Sequence, residues 1–333
     1  MKVVIATPLY PPDIGGPATY AKLLVDGLPA KDISVELVSF SGVRHLPKIV
    51  RHFVYYRRVL KAARNADVVL ALDPVSVGLP AMRAAKKAGK KFVVKIVGDY
   101  AWEQGVQRFD ITEYLDQFVK NADVPHAVRV LRQIQMRVAQ SAARIIVPSK
   151  YLKGIIEAWG VPGDKIVVIY NSVELLTVRE MPDRPKGFLV VSSGRRVPWK
   201  GFESLERVVA RDSSWHLLIA SDLSRGEALG WVKSASVYVL NSTYEGFSHA
   251  LIEAIMLGTP VIATDVGGNA ELIQDGVTGL LIPVDEEALL VALQKVAQDP
   301  SAARTRAAAA QKHMHHFKTD TMLSATATLL KSL

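Results

Sequence analysis

Short, continuously apolar runs rich in Val, Ile and Leu recur along this chain with helix-period segments between them. The alternation is played out twice. In the first half the strand candidates are residues 3–6, 34–40, 68–72, 92–97, 144–147 and 166–169, with helical stretches at 18–28, 48–63 and 77–87. In the second half, 188–192, 216–220, 237–240, 260–263 and 279–282 read as strands, and 204–210, 250–257 and 286–297 as helices. Strands apolar on both faces need cover on both faces, which predicts parallel sheets sandwiched by helices, a doubly wound α/β pattern. Charge and proline gather at 174–186, including Pro182 and Pro185, as in a linker. The expected division is therefore 1–173, 174–318, and a last helix at 319–333 that packs back on the first domain. Ligands in open parallel sheets bind outside the carboxyl ends of the strands, so two such sheets facing one cleft place the chemistry there.

Composition narrows the class. The chain has 333 residues, 49% hydrophobic and 22% charged, enough for two ordinary cores. The absence of cysteine excludes disulfides and thiol catalysis and fits a reducing compartment. Residues 1–8 are too short an apolar stretch for a signal peptide and read as a buried strand. No segment approaches the roughly 20 apolar residues of a membrane span, so a cytoplasmic protein is expected. The formal charge of +9 favours phosphate-bearing partners. Part of it lies in 44–64, where Arg44, Lys48, Arg51, Arg57, Arg58, Lys61 and Arg64 occur without an acid, interleaved with Leu46, Ile49, Val50, Phe53, Val54 and Leu60. Such a segment is either a core-packing helix with a solvated cationic face or an amphipathic helix at a membrane surface, giving peripheral contact with the inner face.

The loops after the strands carry the chemistry. Residues 242–254 read Ser-Thr-Tyr-Glu-Gly-Phe-Ser-His-Ala-Leu-Ile-Glu-Ala, leading from a strand into a helix. Backbone N–H groups from Phe247 through Ser248, His249 and Ala250 to Leu251 form the start of that helix, a place that holds phosphate or sugar hydroxyls; Gly246 permits the turn. Glu245 before the helix and Glu253 on it can accept hydrogen bonds from one ligand, although two acids eight apart are unspecific by themselves. The loop 193–201 places Arg195 and Lys200 at another strand end, a guanidinium fork and a point charge suited to a diphosphate.

With these motifs in order, the chain resembles the retaining, GT-B-fold glycosyltransferases of family 4 over essentially its whole length. The resemblance implies that Arg195 and Lys200 bind the donor diphosphate, that Glu245 contacts the transferred sugar and Glu253 the ribose, and that Gly15 and Gly16 lie against the donor phosphates. Residues 257–264, Gly267, Gly268 and Glu271 extend the match, as does 168–174 before the linker. Two departures stand out. The stretch 221–236 is too short for the extra strand usual there, so the second domain is shortened and its sheet should have five strands. Relatives carry a histidine after the fourth strand, where this chain has Asp99. That residue is either a catalytic substitute that orients sugar or acceptor, or a helix N-cap. Tyr100 and Trp102 beside it could stack on a sugar but fit packing better.

The expected reaction is transfer of a hexose from a UDP- or GDP-linked donor to a glycan, lipid-linked or small-molecule acceptor. No cofactor or metal is expected, since His313, His315 and His316 have no converging acids, and no nucleic acid is expected as partner. A nucleotide-sugar epimerase and a non-catalytic sugar-nucleotide-binding protein are the alternatives. A dehydrogenase is disfavoured because no Gly-x-Gly-x-x-Gly follows the first strand.

Overall fold

The computed structural model describes residues 1–13, 15–174 and 182–333; most of the expected linker therefore lies outside the described residues. The chain divides into two compact units, residues 1–172 with 319–333, and 173–318.

Unit 1 runs β1 (Lys2–Thr7), α1 (Gly16–Gly27), β2 (Ser34–Ser39), α2 (Lys48–Ala63), β3 (Val68–Ala71), α3 (Gly78–Ala88), β4 (Lys91–Lys95), α4 (Tyr100–Arg108), α5 (Leu115–Phe118), α6 (His126–Ser141), β5 (Arg144–Val147), α7 (Lys150–Ala158) and β6 (Ile166–Val168). Unit 2 continues with β7 (Phe188–Ser193), α8 (Phe202–Val209), β8 (Trp215–Ala220), α9 (Arg225–Ser234), β9 (Val237–Leu240), α10 (His249–Met256), β10 (Val261–Thr264), β11 (Leu280–Ile282), α11 (Glu286–Gln298) and α12 (Pro300–His313). The last helix, α13 (Thr319–Lys331), belongs to unit 1.

Both sheets are parallel. The first has six strands in the order β2-β1-β3-β4-β5-β6, the second five in the order β11-β10-β9-β7-β8. The five-stranded count is the one the short 221–236 stretch requires. β1, β3, β5 and β9 are buried almost throughout, as continuously apolar strands covered on two faces must be. The apolar run at 92–97 is longer than its strand: the ladder ends at Lys95, and Ile96 donates one more bond to the carbonyl of Ile146 at 2.9 Å.

α1 opens on Gly15 and Gly16 with Pro17 in its first turn, where a missing N–H costs nothing. Its buried Tyr20, Leu23 and Leu24 share one core with Met322, Leu323 and Leu330 of α13. Contact is so close at Gly27 that a β-carbon there would stand 2.2 Å from Leu323. α4, α5, α6, α7, α9 and α12 are helices outside the stretches that periodicity singled out. The buried face of α12 is Ala303, Ala307 and Ala310, too small to give a strong apolar contrast.

Candidate active site

In unit 2 the strand order reverses at β7, which has β8 on one side and β9 on the other. The loops leaving β7 and β9 therefore diverge from a common point, where parallel sheets open a crevice for ligands. These two loops carry Arg195, Lys200 and Glu245.

The Lys200 ammonium donates to Glu245 Oε1 at 2.5 Å, and the hydroxyl of Ser242 donates to the same oxygen at 2.6 Å. Both charged side chains are mostly buried, 16% and 10% exposed, so the pair is much less screened than a surface bridge. Several contacts hold the loops in this register. Asn241, just past β9, donates to the carbonyl of Gly201 at 3.0 Å. The hydroxyl of Thr264, at the end of β10, bonds the carbonyl of Ser242. Asn269 in turn donates to the carbonyl of Thr264 at 2.9 Å. The N–H of Gly268 donates to the carbonyl of Glu245 at 3.0 Å. Four polar positions, Asn241, Ser242, Thr264 and Asn269, thus support the glutamate. Ser242 and Thr264 lie in the quoted motifs, but none of the four was given this role from the sequence, because small polar residues after a strand look like ordinary turn formers.

Arg195 is exposed, and its guanidinium has no hydrogen-bond partner among the described residues. The adjacent Arg196 differs, pairing with Glu206 at 3.8 Å and lying 5.8 Å from the ring of Phe202. The loop thus leaves Arg195 exposed, pairs Lys200 with Glu245 and uses Arg196 to tie itself to α8.

Glu253 lies one helical turn into α10. Arg225 meets it with both Nε (3.0 Å) and Nη2 (2.7 Å) on Oε1, and the same Nη2 donates to the carbonyl of Glu174 at 2.9 Å. Burial raises the Glu253 pKa, with the Arg225 charge opposing that shift. Arg225 was missed in the sequence, although a signal was there. Ser224 and Glu227 form a capping box that announces α9 and puts Arg225 at its first position.

The start of α10 departs from expectation at one residue. Ser248 is the N-cap and accepts the N–H of Leu251 at 3.3 Å, while the N–H of Ile252 donates to the carbonyl of Ser248. Leu251 thus has its N–H engaged and its side chain buried, and it is withdrawn from the expected row of ligand donors. The Phe247 ring packs against Phe317, with centroids 5.6 Å apart. Gly246, Ser248, His249 and Ala250 surround the turn between Glu245 and α10.

Gly15, Gly16 and Asp99 belong to unit 1. Asp99 is the N-cap of α4 and 1% exposed. Its Oδ1 accepts the N–H of Trp102 at 2.9 Å and Nε2 of Gln135 at 2.8 Å. Of the two tasks the sequence left open for this residue, the geometry gives it the cap. Trp102 is likewise a core residue, its Nε1 donating to the carbonyl of Glu113 at 2.8 Å. The side chains of His315 and His316 lie outside the described residues.

Comparison with known proteins bears on the family and the fold. Residues 3–172 match the model for a glycosyl transferase 4-like domain, and residues 224–313 match that for glycosyl transferases group 1. A D-inositol 3-phosphate glycosyltransferase of Streptomyces griseus is 43% identical over 98 residues, 29% of this chain and 21% of the relative. A glycogen synthase of Mycobacterium tuberculosis is 36% identical over 107 residues, 32% of this chain and 26% of the relative. The aligned part thus spans only about a fifth to a quarter of these curated relatives. Among solved structures, sucrose-phosphate synthase of Thermosynechococcus elongatus superposes with a TM-score of 0.78 at 17% identity, covering 99% of this chain and 98% of the other. HepE of Anabaena, solved with UDP-glucose, superposes at 0.76 and 17% identity over the full length of both. With one family model spanning just over half of its residues and a second lying across the Glu253 helix, the chain belongs to the group 1 glycosyltransferases and has their GT-B fold of two Rossmann-like domains.

Proposed function

We propose that this chain transfers a hexose from a nucleotide-sugar to a hydroxyl acceptor with retention of configuration. The observation that carries the reading is the Lys200–Glu245 pair, held at the strand-order reversal of unit 2 beside the start of α10. A partly buried ammonium next to an exposed arginine suits a diphosphate that gains charge as it leaves. Glu245 is the acceptor for sugar hydroxyls, and Glu253, oriented by Arg225, is the acceptor for ribose hydroxyls.

The step is a front-face displacement. The acceptor oxygen bonds to the anomeric carbon as the bond from that carbon to the diphosphate oxygen breaks. The acceptor proton passes to the departing phosphate, whose negative charge Lys200, Arg195 and the α10 start stabilise. The side chains themselves stay unmodified, and positioning and charge account for the acceleration. HepE solved with UDP and UDP-glucose supports a uridine-linked donor. The acceptor is a glycan or a lipid-linked sugar, with the enzyme peripheral to a membrane face.

A panel of nucleotide-sugars read by thermal shift and by slow donor hydrolysis tests the reading, with Glu245→Ala alongside. One donor should raise the melting temperature and be hydrolysed only when Glu245 is present. Stabilisation by none of them would remove the donor site from the proposal.

A further inference from the structure

Unit 1 carries a groove of about 2330 Å³ that none of the donor residues of unit 2 lines. It follows α3, an eleven-residue helix packed between the sixteen-residue α2 and α6, so the longer helices stand as walls above a lower floor. One end is formed by Pro8 and Val75, each in the loop past a strand's carboxyl end, and by Tyr100, the first residue of α4. The other reaches Lys90, Lys91 and Lys165 at the opposite edge of the sheet.

The lining has two chemistries. Ten of its residues are Lys or Arg, and none of the described ones is Asp or Glu. Of the ten, only Arg44 has a carboxylate within ion-pair distance among the described residues, Asp13 at 3.1 Å. Ordinary soluble surfaces interleave the two signs, whereas this one does not. The walls are apolar: Ile49, Phe53 and Tyr56 follow one another along α2 at helical spacing, and Val130 and Ile134 do so along α6. Ile49 is 86% and Phe53 61% exposed. α2 meets the core instead through Tyr55, Val59 and Leu60. Core packing therefore accounts for its later turns but leaves the residues at its start facing solvent.

We infer that this face of unit 1 docks on a bilayer surface rich in anionic phospholipid. Arg83, Lys86, Lys87 and Lys90 meet the lipid phosphates, while Ile49 and Phe53 enter the interfacial layer. Such a surface offers fixed negative charge and an apolar layer a few ångströms beneath it, so it satisfies both chemistries of the groove at once. An anionic polymer such as RNA would satisfy the cations and leave an aliphatic side chain as exposed as Ile49 in water. Segment 44–64 supplies only one wall of this face. Four of its ten cations, Arg83, Lys86, Lys87 and Lys90, come from α3 and the turn after it, which the sequence pattern did not bring together with that segment.

Co-sedimentation with extruded vesicles tests this inference, and it needs no catalysis, so its failure would leave the donor-site reading untouched. The full chain should bind vesicles of equal phosphatidylglycerol and phosphatidylcholine, ignore pure phosphatidylcholine, and be released by high salt. Combining Lys86→Gln, Lys87→Gln and Lys90→Gln should weaken binding on the order of 100-fold. Ile49→Ser with Phe53→Ser should weaken it by roughly tenfold, a loss that attraction to charge alone would not produce. Four of these five positions are exposed and Lys90 is half-buried, and a thermal melt of each variant checks that the fold is retained. No binding to the anionic vesicles, equal binding by the triple variant, or binding of single-stranded RNA with vesicles ignored would each overturn the inference.

Discussion

In unit 1 the first strand, β1, lies between β2 and β3; in unit 2 the first strand, β7, lies between β8 and β9. The two strand-order reversals are equivalent, yet their loops are occupied differently. In unit 1, Asp73 after β3 accepts the N–H groups of Val75, at 2.7 Å, and Ser76, at 2.5 Å, in its own turn. Asp13 after β1 accepts the Ser41 hydroxyl at 2.5 Å and pairs with Arg44. Asp73 holds its own turn together, whereas Asp13 ties the loop after β1 to the segment after β2. In unit 2 the corresponding carboxylate, Glu245, faces an ammonium from the other loop and a serine hydroxyl. At the equivalent loops after β3 and β9, one fold spends a carboxylate on its own turn in one copy and on a mostly buried charged pair in the other, and substitution should separate the two uses.

The largest effect is expected at Lys200. Lys200→Ala should lower turnover with the preferred donor by about 10²–10³-fold, the scale of losing one charged group at a developing anion. Because the mostly buried Glu245 charge is left uncompensated, stability should fall as well, and turnover is therefore compared per folded molecule. Normal turnover per folded molecule would make the pair as structural as Asp73. Next comes Gly267, which has a φ of +56°, and a β-carbon there would stand 1.8 Å from the carbonyl oxygen of Glu245. Gly267→Ala should cost about 3 kcal/mol in urea unfolding or displace Glu245 and abolish donor binding. Gly276→Ala is the control: φ is +70° but nothing lies within 4 Å, so only the backbone penalty of about 1–2 kcal/mol applies. Equal losses at the two glycines would show that close approach to Glu245 is not what fixes the loop.

The sequence was most informative where one residue type has one physical meaning. Apolar runs gave the strands of both sheets, because a strand buried on two faces tolerates little else. The length of 221–236 gave five strands, since no room remains for a sixth. Supporting contacts were hidden because they depend on three-dimensional approach: nothing in the order of Asn241, Ser242, Thr264 and Asn269 says they stack under Glu245. Asp99 shows the opposite difficulty. A carboxylate before a helix suits capping and catalysis equally well as text, and only the presence of Gln135 from another helix distinguishes them.

Asp99→Ala should therefore behave like a lost cap. The Trp102 N–H and the Gln135 amide would be left inside the unit without an acceptor, costing about 1–2 kcal/mol. Turnover per folded molecule should stay near that of the parent chain in a kinetic assay normalised for folded fraction. A deep loss of turnover with normal stability would return Asp99 to the catalytic residues.

The smallest effect concerns Lys95, buried at the end of β4 with its ammonium 3.8 Å from the centre of the Tyr20 ring. No hydrogen-bond acceptor reaches it among the described residues, and burial holds its pKa well below the usual lysine range. The aromatic face offsets only part of the desolvation cost. The unfolded chain titrates near about 10.4, so between the depressed value and that point it binds more protons than the folded chain, and stability rises with pH across the window. Below the window both states are charged and the full cost of burying the ammonium remains. Lys95→Met removes the cost altogether. It should stabilise the chain by about 1 kcal/mol at the acid end, with the advantage shrinking as pH rises toward the unfolded value. Urea unfolding of both chains at several pH values reads this directly. A pH-independent difference would mean that Lys95 keeps its proton throughout, stabilised by Tyr20 more strongly than its burial opposes, and that unit 1 holds a buried cation as firmly as unit 2 holds Lys200.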